Sequence, residues 1–470
     1  MTVLAEVDVA VIGAGVVGSA IARELAGSEL SVALVEGRSD VGDGTSKANT
    51  AILHTGFDAT PGTLESALVA RGYRLLGDYA AACGIPVERT GAVLVAWTDE
   101  ELAALPELRE KARHNGYRHC SLIGPDAVYR LAPDLGPGVL GGLTVPDESI
   151  ICTWTTTLAL ATDAVLRGAR LLRDATVTAV TARGSEGTSE HVLETTQGEV
   201  RAGWVVNAAG LGADVLDAAF GHDRFSVTPR RGELLVFDKL ARSKAPLIVL
   251  PVPSSRGKGV LISPTIYGNV MLGPTADDVD DKRATGTTES GLRFLLDKGA
   301  SLMPSLLEEE VTASYAGLRA ATGSPDFLID IDPGQAYVLA GGIRSTGLTA
   351  SMAIAEHVLG LLADAGLDVS ARPELPPPPR MPSLGEREVR PFEDVEAIAD
   401  DPEYGRMVCF CERVSAGEIR DAMTSTIPPV DLGGLRRRTR AMNGRCQGFY
   451  CGATVRQLLE DGVEPMRVAR

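Results

Sequence analysis

The chain has 470 residues, of which 44% are hydrophobic and 23% charged, and this predicts a globular protein of roughly two to four domains. A formal charge of −17 disfavours binding to nucleic acid. No apolar run is long enough to cross a bilayer, and the N-terminus enters a strand without a basic leader, so we expect a cytoplasmic protein with no transmembrane segment. Seven cysteines are too few for a disulfide scaffold of this size.

The first motif is a glycine turn near the N-terminus. A strand at Val7–Ile12 leads into a turn from Gly13 to Gly18 and a helix at Val16–Leu25. A second strand, Val32–Val35, then ends at the acidic residue Glu36. Gly13 permits the tight turn, Gly15 lets a pyrophosphate approach the backbone, and Gly18 lets the helix pack on the strand. Glu36 is placed to accept hydrogen bonds from a ribose. The pattern predicts a dinucleotide site but does not distinguish FAD from NAD.

Three further stretches resemble the FAD-dependent oxidoreductases built like D-amino-acid oxidase and glycerol-3-phosphate dehydrogenase. They are "GRSDVGDGTSKANTAILHTGF" (37–57), "WVVNAAGLGAD" (204–214) and "YVLAGGIRSTGLTASMAIAEHVLGLL" (337–362). The resemblance spans roughly residues 5–365 and implies that FAD is the cofactor. Besides the glycine turn and Glu36, it implies these cofactor-binding residues: Thr45, Ser46, Asn49, Val177, Ala209, Gly210, Gly342, Gly347, Leu348 and Thr349.

Between these stretches lies a second type of sequence. The segments "GELLVF", "GVLISP" and "NVMLGP" are separated by turn residues and predict an antiparallel sheet that covers the flavin. We therefore expect an α/β fold in which a Rossmann-like FAD domain is interrupted by an antiparallel-sheet substrate domain. The predicted FAD domain comprises 1–83, 151–226 and 315–372, and the substrate domain comprises 84–150 and 227–314. Four consecutive prolines then mark a linker or surface strap at 373–394, before a small module at 395–470.

That C-terminal module contains four of the seven cysteines. Their pattern is C-x-C, 34 intervening residues, then C-x4-C, formed by Cys409, Cys411, Cys446 and Cys451. Four thiolates suit an iron–sulfur cluster or a tetrahedral zinc, although zinc pairs usually stand about two to four residues apart. The module resembles the bacterioferritin-associated-ferredoxin type of [2Fe–2S] domain, which the resembled family carries in anaerobic glycerol-3-phosphate dehydrogenases. We expect the remaining cysteines, Cys83, Cys120 and Cys152, to be buried apolar residues.

A flavin and a one-electron cluster together imply an electron exit. We expect a dehydrogenase whose acceptor is another protein or a quinone-linked partner subunit, through which the chain could also reach a membrane surface. The basic run "LRRRTR" (435–440) has three interpretations: it docks an acidic partner, it offsets the charge of the cluster, or it is a solvated helix end.

Three residues are the predicted substrate-binding and catalytic groups. His54 lies near the end of the stretch 37–57, just past the residues expected at the flavin. It is the candidate base that takes the hydroxyl proton of the substrate while hydride passes to flavin N5. Arg319, in an "AG-x-R" stretch read as a turn, and Arg344 would hold the anionic end of a small hydroxylated substrate. An internal acidic partner is the alternative role for these arginines.

The substrate itself stays open at this point. "GIRSTGLTAS" and the cysteine module resemble glycerol-3-phosphate dehydrogenase subunits, whereas "LHTGFDATPGTLESALV" resembles L-2-hydroxyglutarate dehydrogenases. An Arg-Asn-His-type stretch of well-characterised glycerol-3-phosphate dehydrogenases is absent, which weakens the case for phosphate recognition. An amino or imino acid is a further candidate substrate. In a different class, the chain could be an electron-relay subunit without its own substrate.

Overall fold

Two large β-sheets organise the chain, and a small helical module follows them. The structure is a computed structural model that describes residues 2–183, 190–253, 259–381 and 389–468. Within that part of the chain, no helix is long and apolar enough to cross a membrane.

The first sheet, called here the N-terminal sheet, has eight strands and a parallel centre. Its first strand, Val3–Ile12, pairs in parallel with the strands on both sides, so that Ile12 lies beside Val35 and Asn207. The carboxyl ends of these strands therefore meet at one edge, where ligands of such sheets bind. In spatial order the strands are Val177–Arg183, Glu190–Thr195, Glu199–Asn207, Val3–Ile12, Val32–Val35 and Arg170–Leu172, with Tyr337–Gly341 on Glu199–Asn207 and Leu328–Asp332 beyond it.

Helices cover this sheet and share its apolar core. The helix after the glycine turn, Val16–Leu25, packs against the helices Thr153–Leu166 and Gly347–Asp364. A fourth helix, Leu64–Cys83, packs on Gly347–Asp364. A Cβ at Gly72 would lie 2.2 Å from the carbonyl oxygen of Thr349, so this helix pair approaches too closely for any side chain there. A shorter helix, Ala213–Ala219, packs on the opposite side of the sheet.

The second sheet, called here the covering sheet, has nine strands. In spatial order they are Asp277–Asp278, Thr228–Phe237, Val270–Gly273, Leu261–Pro264, Ile248–Pro251, Ala92–Ala96, Gly141–Val145 and Ser121–Ile123, with Val311–Ala321 also on Thr228–Phe237. Its pairings are antiparallel except that Ile248–Pro251 runs parallel to Ala92–Ala96. The helices Asp99–His114, Pro125–Leu131 and Glu289–Leu302 pack on it. A third, separate sheet has three strands, Ile52–Leu53, Ser149–Ile151 and Val87–Glu88.

Two expectations about this region were wrong in detail. Arg319 does not lie in a turn, because Val311–Ala321 is an eleven-residue strand that pairs along Thr228–Phe237. The same pairing places residues 315–321 in the covering sheet, although the sequence assigned them to the FAD domain. The adjacent small residues in "YAGLRAA" break the alternation of apolar and polar residues that predicts a strand, and the long-range pairing decides the local structure.

The C-terminal part is fastened to the first half of the chain. The Arg372 side chain donates to the carbonyl oxygens of Ser28 and Arg167, and the N–H of Met381 donates to the carbonyl of Cys83. The described proline-rich residues therefore form a surface strap; residues 382–388 of the predicted linker lie outside the described residues. The module itself contains the elements Val395–Asp400, Met407–Cys409, Val414–Ser415, Ala416–Met423, Leu432–Thr439 and Gly452–Val468.

Candidate active site

A cavity of about 1510 Å³ lies between the two sheets and reaches the carboxyl edge of the N-terminal sheet. It is larger than the roughly 300–1,000 Å³ of ordinary small-molecule pockets, so it has room for a long cofactor and a substrate together. Gly13, Glu36, His54 and Gly342 line this cavity, and so does Arg319 of the covering sheet.

The glycine turn lines the cavity and packs tightly against the neighbouring backbone. Gly13 has a φ of +101°, and a Cβ there would lie 2.5 Å from the carbonyl oxygen of Ala208. A Cβ at Gly18 would lie 1.8 Å from the carbonyl oxygen of Gly13. The N-cap residue Gly15 has no side chain to cover the positive helix end, and the hydroxyl of Ser46 accepts the N–H of Val16 there at 2.9 Å. These contacts fit the close approach of a pyrophosphate.

Glu36 lies at the end of the second strand and is held by the backbone. Its carboxylate accepts hydrogen bonds from the N–H groups of Ala14 and Arg38, both at 2.8 Å. Burial raises the pKa of Glu36, while these two backbone donors oppose that rise. The carboxylate also lines the cavity, where it is available to a ribose hydroxyl.

Most of the other predicted cofactor residues also line the cavity. They are Gly15, Thr45, Ser46, Asn49, Val177, Ala209, Gly210, Gly342, Gly347 and Leu348. Gly18 and Thr349 do not. Gly18 lies in the helix–strand contact described above, whereas the buried Thr349 hydroxyl accepts the N–H of His54 at 3.0 Å. The Thr349 side chain thus supports the backbone of His54, and a contact of Thr349 with the cofactor stays a prediction.

His54 is oriented by a buried carboxylate that sequence analysis missed. Its Nδ1 lies 3.1 Å from Oε2 of Glu148, whose side chain is fully buried. The other carboxylate oxygen of Glu148 accepts the N–H and the hydroxyl of Thr55, each at 2.8 Å. A carboxylate on Nδ1 favours the tautomer with a proton there, which leaves Nε2 as an acceptor. The 94-residue separation of the pair gave no signal in the sequence.

Arg319 extends from the covering sheet without a carboxylate partner among the described residues. Its guanidinium makes one long hydrogen bond, 3.4 Å to the carbonyl oxygen of Thr275, and lies against Gly232. Burial lowers the pKa of Arg319, and the neighbouring charge of Arg230 lowers it further. A half-buried cation that lines a cavity without a counter-ion is a site for an anion.

Arg344 is less free than the sequence suggested. Its guanidinium donates to the carbonyl oxygen of Pro325 at 2.6 Å and lies 3.7 Å from the carboxylate of Glu65. Glu65 in turn accepts the hydroxyl of Thr346, at the start of the helix that borders the cavity. The alternative of an internal acidic partner therefore applies to Arg344, although the residue also lines the cavity.

The four cysteines of the C-terminal module come together in two pairs. Burial and the neighbouring thiol of Cys446 raise the pKa of Cys411, and burial and the neighbouring thiol of Cys409 raise the pKa of Cys451, so the two thiols of each pair lie close together. The backbone N–H of Tyr450 donates to the Cys446 sulfur and lowers the pKa of this thiol, helped by Cys411 and by the next N–H groups of the loop. Within the described residues, no three potential ligands converge on a single metal position. Two pairs of thiols match a two-iron cluster, in which each iron takes two cysteines.

The comparisons with known proteins agree with this geometry. The family profile described as "FAD dependent oxidoreductase" matches residues 8–361. The chain belongs to this FAD-dependent oxidoreductase family. A second profile, "BFD-like [2Fe-2S] binding domain", matches residues 407–461 of the oxidoreductase. Its cofactors are FAD and a [2Fe–2S] cluster, which confirms both cofactor predictions and overturns the zinc alternative.

Relatives of the oxidoreductase match most of its length. It is 33% identical to a glycerol 3-phosphate dehydrogenase of Caloramator mitchellensis, over 98% of this chain and 96% of the relative. It is 27% identical to one subunit of the anaerobic glycerol-3-phosphate dehydrogenase of Escherichia coli K12, over 96% and 88%. Among solved structures, the FAD-bound, dithionite-reduced L-α-glycerophosphate oxidase of Mycoplasma pneumoniae matches with a TM-score of 0.73 and 29% identity, over 79% and 98%.

The basic run of the oxidoreductase holds its two cofactor domains together. Arg437 and Arg438 both donate to the buried carboxylate of Asp40, in the loop that follows Glu36, at 2.7–2.8 Å. Arg440 donates to Glu412 at 2.8 Å. The predictions of an external acidic partner and of a solvated helix end for these three arginines are therefore wrong, since their charges are neutralised within the chain. Cys83, Cys120 and Cys152 are buried as predicted.

Proposed function

We propose that this oxidoreductase is a glycerol-3-phosphate dehydrogenase. The secondary alcohol of the substrate is oxidised, hydride passes to flavin N5, and electrons leave through the iron–sulfur cluster. The observation that carries the proposal is the juxtaposition of His54 and the unpaired Arg319 on one cavity with the predicted cofactor segments. The dehydrogenase relative that matches over nearly the full length of both chains supports the choice of substrate.

His54 serves as the base in this proposal. The Glu148 carboxylate holds the ring through Nδ1, and the hydroxyl of Thr349 fixes its backbone, so Nε2 is the atom that takes the substrate hydroxyl proton. Glu148 stabilises the imidazolium that results, because the carboxylate is buried and lies 3.1 Å away. Bound FAD supplies the two-electron acceptor and the bound cluster carries one electron at a time, which allows stepwise release to a one-electron acceptor.

Arg319 binds the phosphate of the substrate. A guanidinium offers several N–H donors in a planar fork that matches phosphate oxygens, and among the described residues only one long hydrogen bond uses them. Burial of the anion beside this cation also stabilises the charged guanidinium. Arg344 contributes a second positive charge near the flavin segment, moderated by Glu65.

The cluster domain favours a dehydrogenase over an oxidase that reduces oxygen directly. Buried ion pairs between Asp40 and the arginines of the cluster domain fix this domain against the FAD loop, which is the placement that electron transfer between the two cofactors requires. The Escherichia coli relative is one subunit of its dehydrogenase, which supports a second polypeptide as the acceptor. We propose that such a partner protein, itself quinone-linked, receives the electrons.

Anaerobic flavin bleaching tests the substrate assignment. Purified holoprotein is mixed without oxygen with glycerol 3-phosphate, L-2-hydroxyglutarate, glycerol, L-proline and glycine in parallel, and the flavin absorbance is followed. We expect rapid bleaching with glycerol 3-phosphate and slow or no bleaching with glycerol, which lacks the anion. Bleaching by 2-hydroxyglutarate or an amino acid instead would show that this compound, and not glycerol 3-phosphate, is the substrate. If no compound bleached the flavin, the result would favour an electron-relay subunit.

A further inference from the structure

Three large aromatic side chains stand exposed around the cluster ligands. Phe410 lies between Cys409 and Cys411, while Phe449 and Tyr450 lie between Cys446 and Cys451, and their exposures are 75%, 83% and 79%. Phe449 and Tyr450 are the two most exposed large apolar side chains in the described part of the chain, and their rings contact each other edge to face at 5.1 Å. We call these three residues the aromatic rim.

The aromatic rim lies where the cluster ligands are nearest to solvent. Cys411 is exposed and Cys446 is half-buried, whereas Cys409 and Cys451 are buried. A cluster held by the four cysteines would therefore be nearest to solvent at Cys411 and Cys446. Aromatic residues from both ligand loops flank these two cysteines. Because electron transfer weakens steeply with distance, an acceptor that covers this side has the shortest path to the cluster.

The other face of the ligand loops is already occupied by the chain itself. Glu412 binds Lys239 at 3.1 Å, and Arg445 lies 3.1 Å from Asp238 in the same segment of the covering sheet. The guanidinium of Arg440 stacks on the ring of Tyr267, 3.5 Å from the ring centre. These contacts fix the loops from the inside, and the aromatic rim is the surface that they leave open.

The charges on the two ligand loops have one sign at the surface. Arg413 is exposed, and the only carboxylate within 409–413 and 445–451, that of Glu412, is buried. Arg445 is exposed as well, but its charge is paired with Asp238 and Glu310. Charges separated by more than about 8 Å are largely screened at physiological ionic strength. An approaching protein therefore senses the charge of Arg413 at this surface more than the formal charge of −17 of the whole chain.

We propose that the aromatic rim and Arg413 form the docking surface for an acidic electron-transfer protein. This inference rests on the proposed exit of electrons through the cluster. Each encounter moves one electron from the reduced cluster to the redox centre of the acceptor, so the cluster is oxidised as the acceptor is reduced, and no bond or proton is transferred. Exposed aromatic residues supply contact area, and the arginine complements the acidic surface of the partner.

Two forms of one probe protein separate charge from redox chemistry. Native cytochrome c is basic, and succinylated cytochrome c is acidic with the same haem. Holoprotein reduced with dithionite, and freed of excess reductant, is mixed with each form in its ferric state, and the affinity for each immobilised form is measured separately. We expect the acidic form to bind and to be reduced. Its affinity and its reduction rate should both depend on the aromatic rim and should fall as the salt concentration increases.

The variants are Phe449→Ser, Tyr450→Ser and Arg413→Glu. Each is expected to lower the affinity for the acidic form and its reduction rate by about tenfold, with the cluster spectrum unchanged. Phe294→Ser, at an exposed phenylalanine on a helix of the covering sheet, and Arg420→Glu, at an arginine paired within the cluster domain, are the matched controls and should have no effect.

Equal affinity and rate for the variants and the wild type would overturn the proposal, and so would an equal loss for the basic form. A concentration-dependent dimer in sedimentation velocity that Phe449→Ser abolishes would show that a second copy covers the surface instead. Because dithionite reduces the cluster, these outcomes do not depend on the substrate. Failure of substrate to reduce the wild-type cluster would contradict the proposed function and leave the docking result standing.

Discussion

Arg438 donates to both carboxylate oxygens of Asp40, at 2.7 and 2.8 Å, across the boundary between the cluster domain and the FAD domain. Both side chains are almost completely buried, and Arg437 adds a third hydrogen bond to the same carboxylate. Asp40 lies in the loop between Glu36 and Ser46, both of which line the cavity. The loop that borders one cofactor site is therefore fixed by the domain that carries the other.

Asp40→Asn is expected to release the cluster domain. Removal of one partner of a buried ion pair typically costs about 3–5 kcal/mol, because the remaining charges are left uncompensated. Hydrogen exchange of the helix Leu432–Thr439 should accelerate strongly in this variant. Arg420→Gln breaks only exposed pairs within the cluster domain and should leave that exchange unchanged. Wild-type exchange in Asp40→Asn would show that the ion pair does not hold the domains together.

The same pair gives the docking of the cluster domain a defined pH dependence. Burial opposes ionisation of Asp40, but hydrogen bonds and charges from Arg438 and Arg437 outweigh it and lower the pKa of this carboxyl. A lowered folded-state pKa means that the stabilisation is complete above the unfolded-state value of about 3.9 and is lost as the pH falls through the folded-state value. Docking, followed by hydrogen exchange, should therefore be constant at neutral pH and weaken only in strong acid.

Gly15→Val is expected to abolish tight FAD binding. A Cβ at this position would lie 3.2 Å from Oγ of Ser46, and the branched side chain would fill the space in which a pyrophosphate approaches the backbone. The measurement is the flavin content of the purified protein and its dissociation constant for FAD. Gly77→Ala, at a helical glycine with open space around it, is the control and should retain FAD. Full flavin content in Gly15→Val would mean that the pyrophosphate lies elsewhere.

His54→Gln should slow flavin reduction by substrate by about 10²–10⁴-fold while FAD stays bound. Glu148→Gln should cause a smaller loss, because the base remains but its Nδ1 partner is neutral. Rapid mixing under anaerobic conditions measures both rates. His119→Gln is a matched control, since His119 also pairs with an acid, Asp147, but is exposed. A near-normal rate in His54→Gln would reject this residue as the base.

Arg319→Gln should weaken substrate binding by about ten- to a hundredfold, the range for loss of hydrogen bonds to a charged group. The dissociation constant from the substrate dependence of flavin reduction reports this change. Arg230→Gln removes a neighbouring arginine that already pairs with Asp278 and should have a small effect. If both variants bound substrate equally well, Arg319 would not be the anion site.

Sequence alone predicted the features that local spacing determines. The turn from Gly13 to Gly18 and the C-x-C pair at Cys409 are set by residues close in the chain, and from these two patterns the cofactors FAD and [2Fe–2S] were predicted correctly. Contacts between distant segments were beyond reach. Glu148 lies 94 residues from His54, and Arg438 lies 398 residues from Asp40. The basic run around Arg438 therefore looked like a surface for an external partner, because its internal partner is a single aspartate far away in the chain.

In the proposed function, electrons from glycerol 3-phosphate reach the cluster through the flavin. The most direct measurement mixes the substrate anaerobically with wild-type protein and with Cys411→Ser, follows the flavin absorbance, and records the cluster by electron paramagnetic resonance in samples frozen during the reaction. We predict that the wild-type flavin is reduced first and that the signal of a reduced [2Fe–2S] cluster then grows, whereas Cys411→Ser reduces its flavin normally without that signal. A wild-type cluster that stays oxidised beside a fully reduced flavin would show that electrons do not pass from the flavin to the cluster.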